Sequence, residues 1–344
     1  MAESMSADPI AEKILHATRE AGKTYSFNDA HKADQPLEVF FQHSDEGLVL
    51  FVIFFSQACQ YSLCQGCTLP STSSLSHVGF RDLMKQVDSL FVRPDVCEKS
   101  AAITKVIASN QGSMLDEATF STTALIYFIA ELNVHVPRLR TLCLETRVEY
   151  VDVSELGVLA RALQESPSKT NLEIAVGFEA FDDQIRNRLF LKGFGLKGFE
   201  RLVEKLAKHS FRLKCYFMLK PVAGMSDAAA VKDIHEAIDY LSELATRHQV
   251  RINLHLNPTY VARGTKLAEA FARGEYTPPK VSDAARAVLH ARGKNLTVFV
   301  GLNDEGLAVP GGSFAKPEDA EILRLLESFN RTQDYTLLEK VPLP

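Results

Sequence analysis

The chain contains no apolar run long enough to cross a bilayer: its strongest, residues 48–55, is far shorter than the roughly 20 residues that a spanning helix needs. Its start, residues 1–23, is polar and charged in a helical pattern and lacks the apolar centre of a secretory signal. Cysteine is scarce and unevenly placed. Of 6 cysteines in 344 residues, half fall between Cys59 and Cys67, which is no extracellular disulfide framework, so a reducing, cytoplasmic compartment is expected. Positive charge is not in excess either. With 38 Lys+Arg against 43 Asp+Glu, the net charge of −5 argues against nucleic-acid binding by the whole surface and leaves room for a local basic channel. Internal repeats and long low-complexity linkers are absent. At 46% hydrophobic and 24% charged residues, a globular protein with a large core is expected.

Strand-like and helix-like segments alternate along the chain, which is the pattern of a parallel α/β fold. After the first helix, 36–42 and 47–55 read as paired strands joined at His43-Ser44-Asp45-Glu46, and later strands are expected at 103–109, 140–146, 172–179, 211–219 and 251–257. Amphipathic stretches such as 199–209 and 228–247 lie between them. Counted from Gly47, these make a partial (β/α)6 TIM-like barrel over 47–279. An N-terminal helix and strand extension (1–46) precedes it. A C-terminal extension (280–344), with a strand at 296–301 and a helix at 317–329, is expected to pack on it. Pro278-Pro279 punctuates two helices rather than two domains.

The cysteine triplet Cys59, Cys64 and Cys67 follows the first barrel strand at C-x4-C-x2-C spacing. Three thiolates so spaced can hold three corners of a four-iron cluster and leave one iron open. A zinc site completed by His77 or a distant cysteine, or a redox-active thiol pair, fits the same spacing. Cys97, Cys143 and Cys215 read as small core residues. In a parallel barrel, chemistry gathers at the C-terminal strand ends. Polar residues stand at all of them: Asn110-Gln111-Gly112-Ser113, Glu145-Thr146-Arg147, Gly177-Phe178-Glu179, Lys220-Pro221 and Asn257-Pro258.

This arrangement resembles the radical S-adenosylmethionine (radical SAM) superfamily, and within it the branch of the Elongator catalytic subunit, oxygen-independent coproporphyrinogen oxidase and the archaeosine lyase. The resemblance covers residues 48–279 and is most specific over 176–186 with Lys192-Gly193-Phe194; Leu219-Lys220-Pro221, Leu256-Asn257-Pro258, Arg263-Gly264-Thr265 and 273–279 extend it. It implies that Cys59, Cys64 and Cys67 ligate a [4Fe-4S] cluster whose open iron binds S-adenosyl-L-methionine. Reductive cleavage would then give a 5′-deoxyadenosyl radical that abstracts hydrogen from a substrate. By the same resemblance, backbone carbonyls at Gly112 and Ser113 receive the methionine amino group and Glu145 takes ribose hydroxyls. Glu179, with Arg147 nearby, lies near the same cofactor, and Lys192 meets the methionine carboxylate.

Each role has a structural rival. Glu145 and Arg147 share a strand face and could form an ion pair. Glu179 could cap the following helix, Lys192 could be a solvated turn lysine, and Gly112 could serve only the turn. Gly66 replaces the aromatic residue that usually precedes the third cysteine, so adenine stacking is expected from Tyr61 or Phe178. Gln111-Gly112-Ser113 replaces the usual Gly-Gly-Glu.

For the substrate, Lys220 as proton donor or anion anchor, Asn257 and the turn 301–306 point to one side of the barrel, and Gly311-Gly312-Ser313 could offer phosphate donors. A modified base in tRNA is one expected substrate and a small metabolite or natural product another. A non-catalytic zinc or redox barrel is the reading of another class. The expected electron donor is a flavodoxin or ferredoxin, and no membrane partner is expected.

Overall fold

The computed structural model describes residues 8–341; the first seven residues of the polar start, and 342–344, lie outside it. The first helix, α1 (Pro9–Glu20), starts where the Asp8 carboxylate accepts the Ile10 N–H at 2.9 Å and Pro9 presets the first turn. It stops at Gly22, whose φ of +67° closes a left-handed cap with Gly22 N–H on Arg19 O and Lys23 N–H on Thr18 O.

Eight strands then build one sheet in sequential order: β1 (Glu38–Ser44), β2 (Gly47–Ile53), β3 (Ile103–Ser109), β4 (Thr141–Thr146), β5 (Asn171–Glu179), β6 (Arg212–Leu219), β7 (Ile252–Pro258) and β8 (Thr297–Val300). β1 and β2 form the expected antiparallel pair, and every later pairing is parallel. Helical crossovers make the parallel pairings possible. They are α2 (Phe80–Phe91) with α3 (Pro94–Lys99), α4 (Thr122–His135), α5 (Val153–Leu163), α6 (Leu196–Lys208), α7 (Asp227–His248), and α8 (Lys266–Ala272) with α9 (Val281–Leu289). Pro278-Pro279 falls between the last two.

Alternate strand residues face these helices. Leu50, Val106, Leu142, Leu172, Leu213 and Leu254 meet Leu83, Leu125, Leu159, Leu206 and Ile238 in one apolar layer, each fully buried or nearly so. Each such side chain stabilises the fold by about 1.5–3 kcal/mol. Cys143 and Cys215 are buried as expected, but Cys97 is exposed near the end of short α3, where its Sγ bonds Phe91 O. Among the described residues no helix is long and apolar enough to cross a membrane.

The C-terminal part is more tightly joined than an appended extension. β8 continues the sheet on β7, and α10 (Ala320–Thr332) packs on both β8 and β1, the two sheet edges. Asn330 bonds both the N–H and the C=O of Val300 at 2.8 Å, and Gln333 does the same for Val298 at 3.0 and 2.7 Å. These amides satisfy the open edge of β8 as a ninth strand would.

The opposite end of the barrel is closed by charge. Lys105 Nζ lies 2.6 Å from both Glu46 and Glu173, and Glu46 also holds Arg212 at 2.6 Å. Burial would raise the Glu46 carboxyl, but Lys105, Arg251 and Arg212 hold it down at about 2. A depressed carboxyl stabilises the fold above its unfolded value of 4.5, and that stability is lost as pH falls towards 2. Glu46→Gln is therefore expected to lose about 3 kcal/mol at pH 7 in urea unfolding, with wild type and variant converging near pH 2. An equal gap at both pH values would remove charge as the cause.

Candidate active site

At the C-terminal end of the sheet, one cavity of about 660 Å³ collects residues from nearly every strand end, together with the cysteine loop and Lys23. All three expected thiols line it. The chain leaves β2 and turns back through Cys59–Cys67, where Ser62 adopts φ +41° and its Oγ donates to Cys59 O, while Cys67 N–H bonds Cys64 O. Each thiolate of a cluster binds a different iron, so their sulfurs need not converge on one point. Among the described residues no group of three or more His, Cys, Asp or Glu side chains is placed to hold a single metal ion. Burial pushes the Cys67 thiol up to about 12, with Lys23 acting in the opposite direction.

Gly112 lines the cavity against the loop: a Cβ there would lie 3.3 Å from Cys59 Cα and Cβ, so the glycine lets the two turns touch. Ser113 does not line the cavity. Its hydroxyl is spent on Thr146 Oγ1, and its carbonyl accepts from Asn110 Nδ2 at 3.3 Å.

Glu145 and Arg147 both line the cavity, and they do not pair with each other. Glu145 accepts from the Tyr216 hydroxyl, and burial raises its carboxyl. Arg147 bonds Glu149 and Lys192 O, lies 3.7 Å from the Tyr61 ring centroid, and brings Nη1 to 3.8 Å from Cys64 Sγ.

Glu179 and Lys192 also line the cavity and form a 2.7 Å ion pair. Gly177 makes room for this pair, since a Cβ there would fall 2.2 Å from Glu179 Oε1 and 2.5 Å from Lys192 Nζ. Glu179 caps no helix. The Asp233 carboxylate of α7 instead accepts the N–H groups of Phe181 and Asp182 at 2.9 and 2.7 Å, a role that the sequence did not reveal. Lys192 is buried rather than solvated. Lys192→Ala strands Glu179 without its partner and removes a cation near Cys64. It is expected to weaken S-adenosylmethionine binding about tenfold or more with iron content unchanged; equal affinity in calorimetry would make the pair structural.

Neither expected aromatic is free to stack. Phe178 is fully buried between Phe217, Phe194 and Phe199, and Tyr61 is covered by Arg147 with its hydroxyl on Leu191 O. The aromatic that does stand in front of Gly66 is Phe190, whose ring would meet a Cβ there at 2.7 Å. It comes from the turn after β5, so no local spacing around the third cysteine announces it.

Away from the thiols the cavity is lined by Phe51, Tyr216, His255, Asn257, Phe299 and the turn from Gly301 to Glu305. Asn257 and the turn are where they were expected. Gly301 again yields space, for Asn257 Oδ1 at 2.1 Å and His255 Nε2 at 3.1 Å from a Cβ. Burial holds the imidazole of His255 well below its usual range, and Lys214, 3.4 Å from Nδ1, adds to the effect. Burial and Glu145 raise the Glu305 carboxyl to about 7. Two expected residues lie elsewhere. Lys220 points out of this cavity to Asp227 at 2.7 Å and Thr277 at 3.3 Å, and Gly312 sits in a tight turn against Val261 and Val309.

In fold, the chain is similar to an N-terminally deleted Elp3 from the archaeon Methanocaldococcus infernus, with a TM-score of 0.50 and 16% identity over 72% of this chain and 58% of that one. A cysteine-to-alanine variant of spore photoproduct lyase gives a TM-score of 0.50 and 14% identity over 88% of both chains. Both likenesses are of fold, and they agree with the fold expected from the radical SAM resemblance. In sequence, the chain is 22% identical over 298 residues to an uncharacterized protein of Methanocaldococcus jannaschii, covering 85% of this chain and 78% of the relative. It is 23% identical over 307 residues to archaeosine synthase subunit beta of Thermococcus kodakarensis, covering 86% and 88%. No family model matches it.

The residues present fit the group that this fold implies. Three thiols share one cavity with the cations Lys23 and Arg147, and Gly112 leaves the thiol loop open to approach. That donor set suits an anionic iron-sulfur cluster.

Proposed function

We propose that the protein is a radical SAM enzyme that acts on a modified base in tRNA. The observation that carries the enzyme reading is the shared cavity, which runs from the three thiols past Glu145 to His255, Asn257 and Glu305. When bound, the [4Fe-4S] cluster and S-adenosylmethionine supply a carbon-centred radical that removes a hydrogen atom from substrate. The chain's own residues do the rest. Cys59, Cys64 and Cys67 hold the cluster, Gly112 keeps its backbone open to the cofactor, and Lys192, oriented by Glu179 and Arg147, presents positive charge to a carboxylate. Glu145, fixed by Tyr216, offers its carboxylate to hydroxyl groups. Glu305, raised to about 7, is able to give or take a proton at neutral pH.

The tRNA reading is supported by the relative named archaeosine synthase subunit beta, which matches most of both chains. A small-molecule substrate is the second reading. It is favoured by the far half of the cavity, where Glu38, Glu305 and Glu327 outnumber Arg331, a lining that repels phosphates. A reduced flavodoxin or ferredoxin in the cytoplasm would supply the electron.

Anaerobic reconstitution with iron and sulfide, followed by dithionite and S-adenosylmethionine, tests both parts. Release of 5′-deoxyadenosine is expected, with stimulation by bulk tRNA that weakens steeply as salt rises, because phosphate contacts release counterions. Cleavage indifferent to tRNA would select the small molecule, and protein that takes up no iron would end the radical reading.

A further inference from the structure

One cation of the cavity comes from outside the barrel and, among the described residues, has no counter-charge of its own. Lys23 is 7% exposed, and Nζ donates to Ser62 O at 2.7 Å, inside the Cys59–Cys67 loop. An ammonium carries three N–H donors. Among the described residues this carbonyl is the one hydrogen-bond acceptor that Nζ meets, and no carboxylate lies within ion-pair range. A buried, unpaired charge costs several kcal/mol unless an ion of opposite sign comes to it.

The position is built rather than incidental. The left-handed cap of α1 sets the direction of Lys23 by tying its N–H to Thr18 O. The next residue, Thr24, bonds Gly264 O at 3.1 Å; Gly264 has φ +67°, and a Cβ there would come within 3.0 Å of Tyr25 N. α1 itself rests on the cysteine loop, since Lys13 Nζ reaches Gln60 Oε1 at 3.1 Å and Gln60 is held in turn by Asp116.

We propose that Lys23 is the counter-charge of the cluster held by Cys59, Cys64 and Cys67, and that it raises the cluster's reduction potential. This rests on the radical SAM reading of the cavity. The added electron, delivered by the external reductant, makes an anionic cluster more negative, and no bond forms or breaks in that step. A fixed ammonium favours the reduced form and resists nothing in the oxidised one, so net charge beside the cluster shifts the balance. Lys23 is a positioning and tuning residue. It takes no part in the hydrogen-atom transfer.

The test uses full-length protein reconstituted without S-adenosylmethionine, comparing wild type, Lys23→Met and Lys23→Arg by iron content and by potentiometric titration followed by electron paramagnetic resonance. All three are expected to hold the same iron. Lys23→Met should reduce about tenfold less favourably at a given potential, a midpoint lower by about 59 mV, and Lys23→Arg should stay with wild type. An unchanged midpoint in Lys23→Met overturns the proposal, and if a separate titration of the same proteins with S-adenosylmethionine then shows weaker binding, a cofactor carboxylate lies at Lys23 instead. If Lys23→Met and Lys23→Gln both take up no iron yet unfold thermally as wild type does, Lys23 serves assembly and the tuning role is overturned. Wild type without a cluster would defeat the radical SAM reading itself, a failure separate from any difference among the variants.

Discussion

Single replacement of Cys59, Cys64 or Cys67 by alanine is expected to abolish 5′-deoxyadenosine formation, while Cys97→Ala, Cys143→Ala and Cys215→Ala retain it. The reason is geometric as much as chemical. The three former thiols face one cavity with Gly112, Arg147 and Lys192, whereas Cys97 is exposed near the end of α3 and Cys215 is buried in the layer between sheet and helices. Cys143 is packed inside the barrel beside Val49, Ile107 and Ala175 and does not line the cavity. Loss of one of three ligands exposes an iron corner to solvent and exchange, so iron content should fall along with activity. Cleavage in assays of all six variants, taken with iron analysis, decides the assignment. Equal loss in all six would mean that the thiols matter for folding, and equal retention would mean that they bind no cluster.

Much of this site was legible because each of its parts is local. Strand ends are marked by a change from apolar to polar residues, so β3 and β4 fall within a residue of their expected limits, and β6 and β7 do as well. The cysteine loop, Gly112, Glu145, Arg147 and Glu179 stand at or just past those ends, whereas Lys192, well beyond the end of β5, was named by the resemblance alone. What was not legible depends on partners distant in sequence. Lys105 and Glu173 sit in strands that read as apolar, and the ion pairs of Lys105 with Glu173 and Glu46 appear only when the barrel closes. Phe190 reaches Gly66 across more than a hundred residues, and Lys23 reaches Ser62 from a segment that reads as a plain helix end. The same holds for the seam, where Asn330 and Gln333 look like ordinary polar helix residues until β8 lies beside them. Lys220 was misplaced for a related reason. Its φ of +64° turns the chain at the strand end and carries the side chain outward to Asp227.

Arg186 shows how far a motif residue can act from the chemistry that its motif suggests. It has no exposed surface, yet it belongs to a short wide helical turn, Gln184–Leu189, at the cavity's edge. Nη1 donates to Ala180 O at 3.1 Å and Phe181 O at 2.7 Å, Nε to Phe194 O at 3.2 Å, and Nη2 to Asp183 at 2.7 Å. The guanidinium also lies 5.0 Å from the Phe178 ring centroid and 5.5 Å from that of Phe194. It therefore ties both ends of the turn that carries Phe190, Leu191 and Lys192, and Lys192 N–H in turn bonds Arg186 O at 2.8 Å. Arg186→Met keeps the apolar stem and takes this donor from the Ala180 and Phe181 carbonyls, while Phe194 O keeps Asn187 Nδ2 at 2.8 Å; each carbonyl left unpaired costs about 1–3 kcal/mol when buried. A loss of about 5 kcal/mol in urea unfolding is expected, with the cluster thiols untouched. Because the turn also positions Lys192, whose carbonyl accepts from Arg147 Nη2, the variant should bind S-adenosylmethionine more weakly than wild type does. Full stability in Arg186→Met would show that the turn holds itself without the guanidinium, and unchanged cofactor affinity would separate Lys192 from the turn's shape.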